Sequence, residues 1–381
     1  MKIGIDVREF ERDKMTGIGR YLLNFLRWAA KEKQDTEFFL YGNQHTEFPV
    51  KAQNFKEQVI PEKITFFWDQ ILLPFHLRKD NIDILFSPYY KAPIYSPCPS
   101  YIVIHDLLFL KLYEDTFRKK IKNILFLIIA RRIARRAKKV ITVSFYSKSE
   151  IWKYLRINNK KIEVIYNMVG GQFFPEPVPG EIERVRKKFN TGEYYLLYVG
   201  NFKKHKNIEN LIIAFEIFQS GYNFNDYKLI LGGAKDANSS RIEKKIKELN
   251  IKHKVLFTGL LDDRDMRPLY SGAALFAYPS LYEGSGLPII EAMACGTPVI
   301  CSNRTSMPEI TGDAALLFDP ENMEEISNAL KEVTGNSKTR NNLIQKGLKR
   351  VKEINKTKFA ERVYDILISS TSVVNDSKNG Y

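Results

Sequence analysis

A repeated alternation of short apolar runs with stretches of helical spacing limits the fold of this chain more than any other feature of its sequence. Lys2 to Val7 has the pattern of a buried strand, a loop with two glycines follows, and apolar residues then recur at helical spacing from Tyr21 to Ala30. Strands that alternate with helices form parallel sheets with crossover connections, so the first half is predicted to be a doubly wound α/β domain. Its other predicted elements are strands at Phe38–Tyr41, Ile84–Phe86, Tyr101–His105 and Val140–Val143 and helices at Trp68–Leu77 and Phe117–Ala137.

The segment from Gly170 to Gly180 is rich in proline and glycine and interrupts this alternation, which makes it the best candidate for a linker. A second set of elements follows it, with strands at Tyr194–Val199, Lys228–Leu231, Val255–Thr258, Ala274–Ala277 and Pro298–Cys301 and helices at Asn207–Gln219, Ser239–Leu249 and Pro288–Ala294. Two domains are therefore predicted, residues 1–175 and 176–357, with a C-terminal helix at about residues 358–381 that could pack back on the first. Such domains leave a cleft between the carboxyl ends of their sheets, where this architecture binds ligands.

The length of 381 residues agrees with two domains, and a hydrophobic fraction of 44% with 27% charged residues excludes intrinsic disorder. Three cysteines are too few for a disulfide framework, and five scattered histidines show no metal-ligand spacing, so we expect a reducing compartment and no structural zinc. The N-terminus lacks the pattern of a signal peptide, and the longest apolar run, Ile124 to Ala130, is far short of the roughly 20 residues of a bilayer span. We therefore expect a cytoplasmic protein without a membrane-spanning segment.

The net charge of +15 is concentrated in the first half of the chain, because residues 1–178 carry +11 of it. Charge alone fits a nucleic acid, an anionic membrane or a phosphorylated substrate equally well. The segment from Phe117 to Val140 holds ten Lys and Arg residues and no acid, with apolar residues at helical spacing. It fits either a helix on an anionic membrane surface or a core helix with a charged outer face. The arginines near its C-terminal end are Arg131, Arg132, Arg135 and Arg136.

The segment from Tyr278 to Ile300 has the pattern of an anion-binding loop. A predicted strand ends before a loop that carries glycines, and Pro288 stands where proline is favoured in the first turn of a helix. Glycines let a ligand approach the backbone, and the NH groups and dipole at a helix N-terminus favour a diphosphate. One glutamate on the loop and one on the helix could accept hydrogen bonds from sugar and ribose hydroxyls. The residues concerned are Glu283, Gly284, Ser285, Gly286, Leu287 and Glu291.

Seven segments together resemble the retaining glycosyltransferases of family 4, which have the GT-B fold. They are EAMACGTPVI at Glu291, TGIGRY at Thr16, IHDLLF at Ile104, VSFYSKSEI at Val143, YVGNFKKHKN at Tyr198, VLFTGLLDD at Val255 and MPEITGDAALLFDP at Met307. The resemblance covers most of the chain, and the order and spacing of the segments make it specific, whereas a single motif would not. It implies two doubly wound, Rossmann-like α/β domains with an inter-domain cleft.

The resemblance also implies roles for residues of the second domain. Glu283 matches the family's residue beside the donor sugar, Glu291 the one that holds the donor ribose, and Lys206 the lysine that neutralises the donor phosphates. Without the resemblance, these charged groups would also fit an ordinary solvated surface. The chain departs from the family pattern where two arginines and an aromatic residue are common, at Asn201, His205 and Ser285. These departures leave the diphosphate with one fixed cation fewer.

In the first domain, the resemblance implies functions for a histidine and for two glycines. His105 and Asp106 match the family's His-Asp pair, whose histidine lies near the donor sugar, and we assign Asp106 to the acceptor or membrane side of the site. A lone histidine is also a common structural residue. Gly17 and Gly19 match a glycine loop that lets this domain close over the donor diphosphate. The two glycines also fit an ordinary tight turn between a strand and a helix.

The implied activity is the transfer of a hexose from a nucleotide sugar to a hydroxyl of a glycan or a lipid-linked saccharide, with retention of the anomeric configuration. No acid in the matched positions is placed to be a nucleophile. The mechanism that the resemblance implies is a same-face substitution in which the leaving diphosphate accepts the acceptor proton. It requires no metal or other cofactor. The C-terminal segments are most similar to bacterial mannosyltransferases of O-antigen, polysaccharide and lipopolysaccharide assembly, so GDP-mannose is the first expectation for the donor, while other donors stay open.

Two other functions fit parts of the sequence. A nucleotide-sugar epimerase would bind the same donor on the same architecture, but the segments around Glu283 favour transfer. A nucleic-acid-binding protein would explain the net charge, but the sequence contains no recognisable nucleic-acid-reading module, so we expect no nucleic-acid partner. For a lipid-linked acceptor, we expect the basic helix to hold the enzyme on the inner face of the cytoplasmic membrane.

Overall fold

The computed structural model describes residues 1–12, 16–111, 117–175, 178–222, 224 and 226–369. The chain divides into two compact units, one formed by Met1–Met168 with the chain from Thr357 and the other by Val169–Lys356. The segment from Gly170 to Gly180, interpreted above as a linker, begins inside the second unit, where Phe173 is buried against the ring of Tyr270.

The first unit is built on a seven-stranded sheet with the strand order β3-β2-β1-β4-β5-β6-β7. Each neighbouring pair in it is parallel, as the alternation of strands and helices predicted. Its strands are β1 Lys2–Asp6, β2 Glu37–Gly42, β3 Phe55–Val59, β4 Ile84–Ser87, β5 Ser100–Val103, β6 Lys139–Thr142 and β7 Ile162–Val164. Strands β3 and β7 lie at the two edges of the sheet, and the sequence pattern predicted neither of them.

Six helices accompany this sheet in the described part of the chain. They are α1 Gly17–Glu32, α2 Thr65–Phe67, α3 Leu73–Lys79, α4 Phe117–Arg136, α5 Phe145–Leu155 and α14 Phe359–Ile368. A π-helical turn, Trp68–Leu72, joins α2 to α3, so the predicted helix at Trp68–Leu77 is a longer and less regular element. The prediction of a loop at Gly17 and Gly19 is wrong, because Thr16 caps α1 by accepting a hydrogen bond from the Gly19 amide and both glycines lie in the first turn.

The core of the first unit includes helices from distant parts of the sequence, α1 and α14. Aromatic side chains of α1 pack on the last helix, with the rings of Tyr21 and Phe359 4.6 Å apart and those of Trp28 and Tyr364 5.7 Å apart. The Tyr364 hydroxyl also shares a hydrogen bond of 2.8 Å with Thr36. Helix α14 is therefore an integral part of this unit.

The second unit contains a six-stranded parallel sheet with the order β10-β9-β8-β11-β12-β13. Its strands are β8 Tyr195–Val199, β9 Lys228–Gly232, β10 Val255–Gly259, β11 Leu275–Tyr278, β12 Val299–Ser302 and β13 Ala315–Phe318. Its helices are α6 Glu181–Phe189, α7 Ile208–Tyr222, α8 Ser239–Glu248, α9 Asp263–Ser271, α10 Leu287–Ala294, α11 Met307–Thr311, α12 Met323–Gly335 and α13 Ser337–Asn355.

Each sheet has one point at which the order of its strands reverses direction. In the first unit the reversal lies between β1 and β4, and in the second it lies between β8 and β11. Loops that follow the two strands at such a point diverge and leave a crevice at the carboxyl edge, where doubly wound sheets bind ligands. The loops after β8 and β11 contain the predicted donor residues. Among the described residues, no helix is both long enough and apolar enough to cross a bilayer.

Candidate functional site

The loop after β8 is shaped so that a short 3₁₀ turn, Lys204–Lys206, faces the neighbouring loop after β11. The carbonyl of His205 accepts a hydrogen bond of 2.7 Å from the amide of Leu281. Asn207 has a left-handed backbone with a φ of 58°, and its side-chain amide donates to the carbonyls of Pro279 and Pro320 at 3.2 and 2.6 Å. These bonds fix the two loops against each other at the point where the sheet reverses direction.

Lys206 and Glu283, which the sequence analysis treated as separate donor contacts, form one ion pair. Lys206 Nζ donates to Glu283 Oε1 at 2.5 Å and to the Tyr278 hydroxyl at 2.9 Å. The two charged side chains are only 10% and 12% exposed. Burial favours the neutral form of Glu283, but the charge and the hydrogen bond of Lys206 outweigh it and hold the pKa of this carboxyl below its usual value. The site therefore contains a fixed ammonium and a fixed carboxylate in contact.

The backbone of Glu283 is held from a third loop, the one that follows β12. The Glu283 amide donates to Thr305 Oγ1 at 3.1 Å, and Ser306 Oγ donates to the Glu283 carbonyl at 3.0 Å. Thr305 has a φ of 60°, which a β-branched residue rarely adopts. The sequence analysis did not identify either residue, because their connection to Glu283 depends on the pairing of β11 with β12.

The glycine loop leads into α10 as predicted. Gly286 precedes the helix with a φ of 78°, and a Cβ atom added there would lie 3.1 Å from the Ile289 side chain. Pro288 lies in the first turn, and Gly284 and Ser285 are buried. The helix N-terminus provides the partial positive charge that suits an anion.

Glu291 is a buried residue of helix α10 and does not lie on the glycine loop that precedes it. It is the fifth residue of α10 and is 4% exposed, and its Oε2 accepts a hydrogen bond of 3.0 Å from the Tyr270 hydroxyl. A ribose bound here would share the carboxylate with this tyrosine.

In the first unit, the structure fixes the ring of His105. β5 ends at Val103, and the His105 ring packs edge-on against Tyr21 at 4.9 Å, with Nε2 3.0 Å from the Pro88 carbonyl. Burial lowers the pKa of His105 to about 4, against the opposing effect of Pro88, so the ring is neutral at pH 7. A carbonyl can only accept, so Nε2 carries the proton and Nδ1 has the lone pair.

Asp106 has a local structural contact in addition to its predicted site role. Its Oδ1 accepts a hydrogen bond of 3.0 Å from the Leu108 amide, two residues further along the chain, where the short turn Leu108–Leu110 begins. The adjacent carbonyl of His105 accepts a hydrogen bond of 2.9 Å from Ser147 Oγ at the start of α5. The backbone at His105 is thus held by the next strand-to-helix connection.

The carboxyl end of β1 carries a buried ionic cluster that the sequence analysis missed. The Arg8 guanidinium contacts carboxylates of Asp6 at 2.7 Å, Asp69 at 2.6 Å and Glu62 at 3.3 Å, and it lies 3.5 Å over the ring of Trp68. Burial raises the pKa of Asp69 to about 6, although Arg8 opposes this rise. The available signal was the pair of charges, Asp6 and Arg8, directly after an apolar run. No group of three or more His, Cys, Asp or Glu residues in the described parts of the chain could hold a metal ion.

Helix α4 has apolar side chains in both of its halves, but only those of one half are buried. Its C-terminal half buries Ile133 and neighbouring alanines in the core of the first unit, but its N-terminal half leaves a row of large apolar side chains exposed. They are Ile121, Ile124, Leu125 and Ile128, which are between 38% and 57% exposed. Arg132, Arg135 and Arg136 are exposed as predicted, whereas Arg131 donates to the Tyr154 carbonyl at 2.8 Å.

Comparisons with known proteins agree with this arrangement. Residues 15–170 match the model of Glycosyltransferase Family 4, and residues 180–350 match that of Glycosyl transferases group 1. The O-antigen chain mannosyltransferase RfbU of Salmonella typhimurium is 32% identical over 334 residues, which cover 84% of this chain and 87% of that protein. The chain belongs to glycosyltransferase family 4.

Other relatives of this family 4 member match over shorter stretches. The O-antigen chain mannosyltransferase B of Escherichia coli is 35% identical over 192 residues, and the chain spans half the length of that protein. The serotype-specific mannosyltransferase WbdA of Escherichia coli is 29% identical over 200 residues, which are 52% of this chain and 24% of that protein.

Solved structures show that this glycosyltransferase has the GT-B fold. The sucrose-phosphate synthase of Thermosynechococcus elongatus superposes with a TM-score of 0.81 at 19% identity, over 98% of this chain and all of that one. WaaG, a glycosyltransferase involved in lipopolysaccharide biosynthesis, gives a TM-score of 0.77 at 15% identity, over 96% and 99% of the two chains.

Proposed function

We propose that this glycosyltransferase moves mannose from GDP-mannose to a hydroxyl of a glycan or lipid-linked saccharide during the assembly of an O-antigen or similar polysaccharide, with retention of configuration. The observation that carries the proposal is the buried pair of Lys206 and Glu283, which lies where the second sheet reverses direction and beside the glycine-led start of α10. The choice of mannose is supported by the relatives, of which RfbU, mannosyltransferase B and WbdA are mannosyltransferases.

The proposed donor contacts follow from the charges at this site. The diphosphate binds to the Lys206 ammonium and to backbone amides between Gly284 and Gly286, where the α10 dipole adds to the attraction. The Glu283 carboxylate, which can only accept hydrogen bonds, binds hydroxyls of the sugar. Glu291 accepts hydrogen bonds from the ribose.

The proposed reaction is a same-face substitution. The bond between the anomeric carbon and the diphosphate oxygen breaks while the acceptor hydroxyl forms a new bond on the same face, and the leaving oxygen takes the proton of that hydroxyl. Lys206 stabilises the negative charge that grows on the diphosphate, and a single well-placed donor of this kind contributes about 3 to 4 kcal/mol. His105 of the first unit keeps an Nδ1 lone pair that can accept a hydrogen bond from a hydroxyl. No step of this scheme uses a metal.

The test combines binding and turnover. A panel of nucleotides and nucleotide sugars is screened by thermal shift, because a ligand at about 100 times its Kd stabilises the folded state by about 2.7 kcal/mol. Labelled GDP-mannose with a saccharide acceptor must then give a glycosylated product, since an epimer without transfer would support an epimerase instead. Lys206→Ala is expected to lower kcat/KM at least tenfold, whereas Lys204→Ala, an exposed lysine of the same turn, is the matched control. If no nucleotide sugar binds, the proposal fails.

We also propose that α4 attaches the enzyme to the inner face of the cytoplasmic membrane, where a lipid-linked acceptor would lie. A core helix with a charged outer face would not expose Ile124 and Leu125, which are 57% and 54% accessible, beside a row of arginines. Exposed apolar side chains next to cations are typical of interfacial helices. Each engaged cation contributes about 1 kcal/mol at an anionic surface, so Arg132, Arg135 and Arg136 together would support reversible binding that salt weakens.

Sedimentation with vesicles of anionic phospholipid, at low and at high salt, tests this attachment. Replacing Arg132, Arg135 and Arg136 by serine is expected to lower the bound fraction at low salt. The matched control removes three exposed lysines of the second unit, Lys244, Lys247 and Lys252. Equal sedimentation of both variants and the unchanged protein would show that α4 is not the attachment site.

A further inference from the structure

The imidazole of His205 is a buried polar group without a partner at the proposed donor site. His205 is 8% exposed, and its ring Nδ1 makes no hydrogen bond with a described residue. Nδ1 is fully buried, and buried side-chain nitrogens of this kind are almost always paired in native proteins. An unpaired group of this kind calls for an explanation, and a ligand that supplies the missing partner is one.

The backbone of His205 is held firmly, so the ring cannot leave this position without cost. Its carbonyl accepts the amide of Leu281 at 2.7 Å, on the loop that continues to Glu283 and the glycines. The next residue is Lys206, whose ammonium is paired with Glu283. The ring therefore lies within the arrangement of charges proposed to bind the diphosphate.

Burial and the neighbouring cations keep the His205 ring neutral in this structure. Burial is the largest effect, the cations Lys206 and Lys203 act in the same direction, and Glu283 opposes them, so the pKa of His205 is lowered to about 4. A bound diphosphate adds two negative charges to this group of residues. It reverses the sign of the local field and gives a ring N–H a strong acceptor.

We propose that His205 binds the donor diphosphate as an imidazolium, taking one proton from solvent when the donor binds and returning it when the nucleotide leaves. His205 is then a second cation beside Lys206 that exists only in the donor complex. This inference rests on the proposed donor site and adds a residue to it. It makes donor affinity depend on pH in a range where Lys206 alone would not.

Proton uptake is measured directly by titrating GDP-mannose into the full chain in a calorimeter. The experiment is repeated at pH 7.5 in buffers with different ionisation enthalpies, and the slope of heat against ionisation enthalpy gives the number of protons taken up. GDP-mannose suits this test because a diphosphate diester has no proton of its own to exchange near neutral pH. We expect the unchanged protein to take up close to one proton. Donor affinity should fall up to tenfold for each pH unit between the low pKa of His205 in the free protein and the higher pKa that it acquires in the complex, and it should level off above the latter.

Two substitutions and one control complete the test. His205→Gln is expected to abolish the uptake and to weaken binding at least tenfold at pH 6.5, whereas His205→Arg should abolish the uptake but keep an affinity that does not vary with pH. His253→Gln, an exposed histidine of the same unit, should change neither. The imidazole signals in proton NMR of the unchanged protein, with and without GDP-mannose, give the same information if a variant does not fold. Binding without proton uptake would overturn this inference alone, whereas no binding of GDP-mannose or of any other nucleotide sugar would overturn the proposed donor site as well.

Discussion

Removing one member of the Lys206–Glu283 pair should destabilise the second unit more than neutralising both. At 2.5 Å and an effective dielectric constant of about 20, the attraction of the two charges is about 7 kcal/mol, most of which compensates the cost of burying them. A buried charge that loses its partner costs about 3 to 5 kcal/mol. We therefore expect Lys206→Met to lower the free energy of unfolding by at least about 3 kcal/mol at pH 8, and the double variant with Glu283→Gln to recover about 2 kcal/mol of that loss.

The free energy of unfolding should depend on pH in opposite directions in the unchanged protein and in Lys206→Met. In the unchanged protein the folded-state pKa of Glu283 is below its usual value, so the pair stabilises the fold above pH 5 and this contribution is lost as the pH falls through the lowered pKa. In Lys206→Met, burial acts without a cation and raises that pKa. The variant should then lose stability as the pH rises from 5 to 8.

The distribution of tryptophans provides an internal control for the measurement. All three, Trp28, Trp68 and Trp152, lie in the first unit. Urea unfolding followed by tryptophan fluorescence measures the stability of the first unit, which should change little in these variants. Hydrogen exchange of amides in β8 and β11 measures the stability of the second unit, where the loss is expected. If Lys206→Met and the double variant are equally stable, or if both equal the unchanged protein, the pair does not stabilise this unit.

Three further expectations concern single positions. Glu291→Ala should weaken the binding of GDP-mannose while Glu283→Ala should mainly lower kcat, and unchanged binding and turnover in both folded variants would contradict these roles. The folded-state pKa of Asp69, about 6, lies above the usual 3.8, so the free energy of unfolding should fall by up to about 3 kcal/mol as the pH rises from 4 to 6. Asp69→Asn should remove most of this fall, which urea unfolding at a series of pH values measures. Gly286→Ala should lower the free energy of unfolding by about 1 to 2 kcal/mol because of its φ of 78°, whereas Gly335→Ala, where an added Cβ makes only an ordinary contact, should not.

The alternation of apolar runs and helical segments was enough to predict the class of fold and the interior strands. It failed at both edges of the first sheet, where β3 has the polar sequence FKEQV and β7 is three residues long. An edge strand buries only part of its side chains, so its sequence lacks the continuous apolar run of an interior strand. The glycines at Gly17 and Gly19 misled for a different reason, because a threonine cap can start a helix directly on a glycine.

The residues of the candidate site could be proposed from the sequence, but their contacts with each other could not. Lys206 and Glu283 are 77 positions apart, and they meet only because β8 and β11 are neighbours at the reversal of the sheet. The support of Glu283 by Thr305 likewise depends on strand order. The family resemblance implied that His205 stands where an arginine is common, but only the structure shows that this ring is buried and that its Nδ1 is unpaired.

The return of the chain to its first unit at α14 has a consequence during synthesis. Helix α1 packs Tyr21 and Trp28 against residues of a helix that the ribosome makes only after the whole second unit. Between the two parts of this core, the ribosome must make the whole of Val169–Lys356, which at about 5 to 20 residues per second takes roughly 10 to 40 s. During that interval the aromatic face of α1 is without its partner and is a target for chaperones, and the second unit can finish folding before the first. A stop codon placed just before Phe359 would therefore damage the first unit, which contains the N-terminus, more than the second unit, which the shortened chain still contains in full.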